Sequence, residues 1–231
     1  MIPPKTTPIT EEYLEAIYML ADEGQTVISA RLSKLLHVSP PTVTATLRRL
    51  LRDGLVRFGT NKEVQLTPKG KETSEKLIRR HRLVERWLTD VLGMGWAESD
   101  AEAHRLEHAL SPAVESLLNK HLGYPSTCPH GNPIPGNPGP DDRLWRPLSM
   151  IDVGSQAAVR RVAEPAENAV DVLYFVEARG LVPGATIRLI GREPDEGPLT
   201  VHVNDANVAL SHYIASNIYV VELEKASGLS E

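Results

Sequence analysis

The order of periodic segments in the first 70 residues is the strongest constraint on the fold. Apolar residues recur at helical spacing in residues 10–22, 28–37 and 40–53, with a tight turn between the second and third segments. Two short segments, 55–58 and 64–66, then have the pattern of a β-hairpin. Three helices followed by a hairpin form a winged helix-turn-helix, whose third helix enters the major groove of DNA.

Charge is concentrated in the same part of the chain. Residues 24–80 contain 12 Lys or Arg and 4 Asp or Glu, whereas the whole chain has a net charge of −5. A basic region in an acidic protein indicates an anionic partner, and we expect double-stranded DNA. The alternatives are a solvated charged surface or a winged unit that binds protein. The residues expected to contact DNA are Ser39, Pro41, Thr42, Thr44, Ala45, Thr46, Arg48, Arg49 and Lys62.

Composition excludes several other classes of protein. The single cysteine, Cys128, allows no disulfide within the chain and fits a reducing compartment. No apolar run approaches the ~20 residues of a membrane-spanning helix, and no secretory signal pattern is present at residues 1–13. We therefore expect a cytoplasmic protein with no membrane partner.

A change in sequence pattern divides the remainder of the chain. Residues 68–92 and 99–122 are helical in pattern, and Ser99 with Glu102 has the spacing of a capping box. Residues 125–147 hold seven prolines and three glycines and predict no regular structure. Strand patterns follow at 159–162, 186–190, 199–203 and 218–222, interrupted by one helix near 167–179. We predict a mainly α chain: a winged helix-turn-helix domain (1–75), a helical domain (76–146) and a small SH3-like β-barrel (147–231).

Histidines and carboxylates that could bind a metal ion recur at helical spacing in the middle of the chain. Asp100, His104, Glu107 and His108 are spaced i, i+4, i+7 and i+8, which places them on one face of a helix. His81 and Glu85 form another i, i+4 pair, and the first helix contains Glu11, Glu12 and Glu15. Imidazole nitrogens and carboxylate oxygens converging from three helices predict a divalent-metal site.

The same residues allow a catalytic interpretation. His104, Glu107 and His108 match the H-x-x-E-H pattern, in which two histidines hold zinc and a glutamate acts as the base. That chemistry also needs a distal ligand and a substrate cleft, and little chain remains to build them. A zinc hydrolase is therefore a minor alternative, and the chain is not expected to be an enzyme.

Several motifs together resemble the family of metal-dependent repressors that includes the diphtheria toxin repressor and the manganese transport regulator. They are Glu12-Tyr13-Leu14, the helix Ser39–Leu51 with residues 52–56 after it, residues 80–86, His104–His108, and residues 130–136. The resemblance spans nearly the whole chain. It implies a metal-dependent DNA-binding repressor in which the helical domain holds metal and forms a homodimer.

The resemblance also implies two metal sites. The primary site would use Glu12, His104, Glu107 and His108. The second would use His81 and Glu85, with Cys128 and His130 from the Pro-rich loop and Asp171 from the β domain. Asp100 is an alternative oxygen ligand of the second site, and Glu15 matches a position that binds an extra metal in some manganese sensors.

The expected cofactor is Mn(II), with Fe(II) second. Iron sensors of this family have Met at the position of Glu12 and Cys at that of His104, whereas this chain offers only oxygen and nitrogen at the primary site. Zn(II), Co(II) or Ni(II) would substitute in vitro, because the intrinsic affinity of such a site is higher for these ions than for Mn(II). We expect binding to a palindromic operator. A winged-helix regulator that responds to a non-metal ligand is the main alternative.

Overall fold

The computed structural model describes residues 7–163 and 169–223, without the side chains of residues 169 and 170. Its first module contains three helices, α1 (Pro8–Asp22), α2 (Ser29–Leu35) and α3 (Pro40–Arg52). An antiparallel hairpin follows, formed by β1 (Val56–Phe58) and β2 (Val64–Leu66). This is the winged helix-turn-helix predicted from the sequence.

Side-chain caps define where the helices of this module begin. The Thr7 hydroxyl accepts a hydrogen bond from the Thr10 amide at the start of α1, and Ser39 accepts one from the Thr42 amide at the start of α3. Prolines occupy the first turn of both helices, where a missing amide hydrogen costs nothing. The apolar faces of the three helices and the hairpin close over one buried core.

The second module is helical. It contains α4 (Pro68–Asp90), α5 (Trp96–Leu106), a 3-10 turn (Glu107–Ala109) and α6 (Pro112–His121). Helix α4 is continuous through the domain boundary expected at 75/76, so one rigid rod joins the first two modules.

The capping box expected at Ser99 is wrong. Helix α5 begins three residues earlier, and the Ser99 hydroxyl is buried, where it donates to the Trp96 carbonyl at 2.8 Å. The amide of Trp96 instead donates to the carboxylate of Glu177 at 3.1 Å. A cap supplied from the β domain leaves no local sequence signal.

Within its described residues, the third module is an antiparallel six-stranded sheet with two helices. In chain order it contains β3 (Arg146–Pro147), β4 (Gln156–Val162), α7 (Ala169–Ala178), β5 (Thr186–Arg192), β6 (Leu199–Val203), β7 (Ala206–Leu210), α8 (His212–Ser216) and β8 (Ile218–Glu222). The strand order is β3-β8-β4-β5-β6-β7. Residues 167 and 168 of the helix expected near 167–179 lie outside the described part.

Contacts between modules position the candidate site. Trp96 and Ala97 of α5 are buried in the core of the β domain. The Pro-rich segment lies over the helical module, where Arg79 of α4 donates to the Pro135 carbonyl at 2.6 Å and to Asn137 at 2.9 Å. Among the described residues, no helix is long and apolar enough to cross a membrane.

Candidate metal centre and DNA interface

The first cluster joins the winged module to the helical module. Glu15 on α1 meets His81 on α4, with His104 on α5 and Glu107 on the following turn. His81 Nδ1 lies 2.7 Å from Glu107 Oε2, and His104 Nδ1 lies 3.4 Å from Glu107 Oε1 and 3.6 Å from Glu15 Oε2. The four ligand atoms all lie within 4.8 Å of one another. One divalent ion can reach all four groups.

Burial and charge shift the pKa values in this cluster in different directions. Burial, together with the nearby Glu107 carboxylate, raises the pKa of Glu15 to about 7. Burial also opposes ionisation of Glu107, but hydrogen bonds from His104 and His81 outweigh it and lower the Glu107 pKa. The bond to Glu107 raises the pKa of His104. The cluster therefore holds protons that metal binding must release.

His81 connects this cluster to a second one. Its Nε2 lies 3.5 Å from Glu85 Oε1 and 3.4 Å from Asp100 Oδ1, on the opposite side of the ring from Glu107. Burial alone would lower the pKa of His81, but Glu85, Asp100 and Glu107 together raise it well above its ordinary value. One imidazole thus has a nitrogen facing each group of carboxylates.

The third cluster is formed by Glu85, Cys128 and His130, all fully buried. His130 Nδ1 lies 3.3 Å from Glu85 Oε1, and the His130 ring packs edge-on against Trp96. The loop that carries Cys128 and His130 is closed by a backbone hydrogen bond from the Cys128 amide to the Asn132 carbonyl. A thiol, an imidazole and a carboxylate in one buried site suit a transition metal.

Buried oxygens without donors test whether a cation fits here. Within the described part of the chain, neither oxygen of Glu85 nor Oε1 of Glu107 has a well-formed hydrogen bond. The histidine nitrogens that face Glu85 Oε1 and Glu107 Oε1 lie 3.3 to 3.5 Å away. Leaving a buried carboxylate oxygen unsatisfied is costly, and a divalent cation would satisfy it. The donor sets of the three clusters therefore fit divalent metal.

Some predicted ligands lie outside these clusters. Glu12, half-buried on α1, and His108, on the turn after α5, belong to none of the three groups, and Asp171 is exposed on α7. The neighbouring Glu11 instead faces the helical module, where its Oε2 lies 2.7 Å from His108 Nδ1. The sequence offers three carboxylates on α1, but only the rotation of the helix decides which ones face His104 and His108.

Most of the residues predicted to contact DNA are exposed to solvent and can reach a ligand. Seven of them are exposed, on or next to α3 or at the wing tip: Ser39, Pro41, Thr42, Thr44, Ala45, Arg48 and Lys62. Thr46 is 8 % exposed and packs inside the module. Arg49 is half-buried, and its Nη2 donates to Thr10 Oγ1 of α1 at 3.1 Å. These two side chains hold α3 against the module instead of presenting themselves to solvent.

Comparison with known proteins adds independent evidence. The family described as "Iron dependent repressor, N-terminal DNA binding domain" matches residues 5–64, and "Iron dependent repressor, metal binding and dimerisation domain" matches 67–136. A FeoA domain matches 146–222. The iron-dependent repressor IdeR of Mycobacterium tuberculosis is 39 % identical over 226 residues, which cover 94 % of this chain and 96 % of IdeR. The chain belongs to the iron-dependent repressor family.

Further relatives of this chain include the diphtheria toxin repressor and a manganese-dependent repressor. The diphtheria toxin repressor of Corynebacterium diphtheriae is 33 % identical over 222 residues, covering 93 % of this chain and 97 % of that protein. A solved manganese-dependent transcriptional repressor in complex with manganese has a TM-score of 0.81 and 31 % identity, covering 93 % and 100 % of the two chains.

Family membership decides the class of function. These relatives are transcriptional repressors, so the chain is a metal-dependent DNA-binding regulator and not an enzyme. The zinc-hydrolase interpretation of His104, Glu107 and His108 is therefore set aside. The three-module architecture with a C-terminal SH3-like β domain is that of the family.

Proposed function

We propose that this repressor prefers Mn(II), with Fe(II) second, and controls genes of metal-ion homeostasis. The observation that carries the proposal is the cluster in which Glu15 of the winged module meets His81, His104 and Glu107 of the helical module. This donor set contains oxygen and nitrogen but no sulfur, which suits Mn(II) or Fe(II) better than a soft ion. Relatives named for iron and for manganese leave both metals as candidates.

The proposed ligands fall into two groups. His104, Glu107 and His108 would form the primary site with a carboxylate of α1. Glu15 contacts His104 and Glu11 contacts His108, whereas Glu12 is the ligand that the family resemblance gives. Glu85, Cys128 and His130 would form the second site, with Asp171 as a further ligand. His81 and Asp100 lie between them, and each nitrogen of His81 faces one group.

The position of the ligands explains how metal and DNA binding are linked. A bound divalent ion supplies positive charge among these carboxylates. Glu15 and Glu107 come from different modules, and their repulsion contributes to the raised pKa of Glu15. Shared ligation removes this repulsion and favours the arrangement in which α1 lies against α5. The population can shift only by the difference in metal affinity between the two arrangements.

We further propose that the DNA-binding form is a homodimer. Two-fold symmetry would set the two α3 helices about one turn of DNA apart, which matches a palindromic operator. The short polar residues Thr42 and Thr44 would face the bases, and Arg48 and Lys62 would neutralise phosphates.

Fluorescence anisotropy with fragments upstream of metal-transporter genes tests the proposal. At fixed salt, the chain is titrated with Mn(II), anaerobic Fe(II), Zn(II) or excess chelator. We expect binding that appears with Mn(II) at the lowest free concentration and disappears with chelator. Binding that ignores every metal would instead support the regulator that responds to a non-metal ligand.

His108 provides the sharpest test of the primary site. We predict that His108→Ala abolishes metal-activated DNA binding while the protein remains a folded dimer by circular dichroism and light scattering. His121→Ala is the matched control, because His121 is exposed at the end of α6, whereas His108 contacts Glu11 and Glu107. A His108→Ala protein that responds to the wild-type metal concentration would remove His108 from the site.

A further inference from the structure

Arg161 is a meeting point of three parts of the protein. It lies on β4 at a bulge in the pairing with β8, and its side chain is mostly buried. Its guanidinium Nη2 contacts the carboxylate of Glu23 at the end of α1 and lies 3.9 Å from Asp22 Oδ2. Its Nε donates to Asn132 Oδ1 of the Pro-rich loop at 2.5 Å. The guanidinium also lies over the Tyr219 ring, 5.1 Å from its centre.

The same strand holds the loop that carries Cys128 and His130. The Val162 amide donates to the His130 carbonyl at 2.8 Å, and Asn132 Nδ2 donates to the Val162 carbonyl at 3.2 Å. Gly131 lies so close to the backbone of β4 that a Cβ atom would come within 2.1 Å of the Arg160 carbonyl oxygen. The position of the third cluster therefore depends on β4.

The Arg161–Glu23 pair is well placed to resist separation. Both side chains are largely shielded from water, and a shielded charge left without its partner is strongly unfavourable. Arg161 is also tied to Asn132, so movement of the end of α1 must either break this pair or move the loop with it.

We propose that Arg161 is a positioning residue that couples the Glu85–Cys128–His130 cluster to the orientation of the winged module. Helix α1 is 15 residues long, which makes it a rod of about 22 Å. Arg161 holds its C-terminal end, and Glu11 and Glu15 face the helical module further towards its N-terminus. A contact that fixes one end of the rod therefore limits where the carboxylates at the other end can lie. The proposal rests on the metal-dependent DNA binding proposed above.

The test compares Arg161→Gln with Arg160→Gln in the full-length chain. Arg160 is the adjacent residue on β4 but is exposed, so it controls for loss of one positive charge from this strand. Hydrogen exchange is followed by mass spectrometry in two segments, residues 18–27 and 128–134. We expect faster exchange in both segments for Arg161→Gln only. The Mn(II) concentration that gives half-maximal DNA binding should rise about fivefold or more, as for a typical coupling between sites.

Glu23→Gln tests the same ion pair by removing the charge of the other partner. It leaves the β domain unchanged, so it remains informative if Arg161→Gln fails to fold. We expect faster exchange in residues 128–134, although Glu23 lies at the C-terminal end of α1. The double variant with Arg161→Gln should be no more affected than Arg161→Gln alone. Unchanged exchange in that loop would overturn the coupling.

The outcomes separate this inference from the proposed function. If the wild-type chain binds DNA without any response to metal, the proposed function fails, and the exchange data still decide whether Arg161 joins the two segments. If the wild type responds to Mn(II) but Arg161→Gln matches Arg160→Gln in exchange and in metal response, the proposed function stands and the role of Arg161 is overturned.

Discussion

At the scale of single residues, burial and neighbouring charges determine which side chains of the candidate metal site are protonated in the folded chain. The raised pKa of Glu15 and of His81 means that the folded chain keeps protons that the unfolded chain releases. Stability from these two groups is therefore greatest at low pH and is lost as pH rises through their folded-state pKa values. The lowered pKa of Glu107 has the opposite effect, since the stability that it contributes is lost as the pH falls through the acid range.

We predict that, in excess chelator, the chain is less stable at pH 8 than at pH 6. Glu15→Gln should reduce this difference by on the order of 1 kcal/mol, because glutamine cannot ionise between the unfolded-state pKa and about 7. Urea unfolding at both pH values measures the effect. Glu196→Gln, on an exposed loop, serves as the control. If the free energy of unfolding changes equally between pH 6 and pH 8 in the wild type and in Glu15→Gln, Glu15 does not have a raised pKa in the folded chain.

At the scale of elements, the Pro-rich segment shows how a loop without regular structure can still be rigid. Its Cys128–Asn132 turn is held on β4 by a backbone hydrogen bond from Val162 to His130 and by the side chain of Asn132, and Arg79 of α4 holds residues 135 and 137. Gly131 is required at the closest approach, because its φ of +89° and its contact with the Arg160 carbonyl both exclude a side chain.

We predict that Gly131→Ala destabilises the protein by about 1–3 kcal/mol, since the added methyl group must displace the loop from β4. Its affinity for metal at Cys128 and His130 should fall as well. Gly139→Ala in the same segment meets no atom within 4 Å and should have little effect. Thermal unfolding and calorimetric Zn(II) titration compare the two variants. Similar results for both would show that the loop tolerates displacement.

At the scale of the whole molecule, an exposed apolar surface on the helical module requires a partner. Val114 and Leu117 of α6 are 50 % and 67 % exposed, and Leu106, at the end of α5, is also exposed. Val114 and Leu117 are three positions apart and so share one face of α6, and exposed apolar side chains that share a face are typical of an association surface. This module matches the family's metal binding and dimerisation domain.

We predict that Leu117→Glu converts the proposed homodimer into a monomer. Binding to the proposed operator should weaken at least tenfold, because a monomer occupies one half-site without a linked second copy on the other. Light scattering after size-exclusion chromatography measures the mass. Leu144→Glu is the control, since Leu144 is equally exposed but lies in the Pro-rich segment. A dimeric Leu117→Glu protein would place the interface elsewhere.

Strong local signals accounted for most of the fold. The helices of the winged module follow from apolar periodicity with Ser39 and the prolines at helix starts, and these are properties of short segments. Two strands were missed, β3 and β7. The first has only two residues, and the second begins with Ala206-Asn207, which have little strand preference, so the sheet itself decides them.

By itself, the sequence determined the modules and the ligand types, because a histidine–carboxylate stripe at helical spacing is a local property of α5 and the turn after it. Only the tertiary structure decided that Glu11 faces His108, that Glu15 joins His81, and that Glu177 caps α5. Each of these contacts joins residues more than 60 positions apart. Their partners are set by the rotation and packing of whole elements, and no local pattern records that.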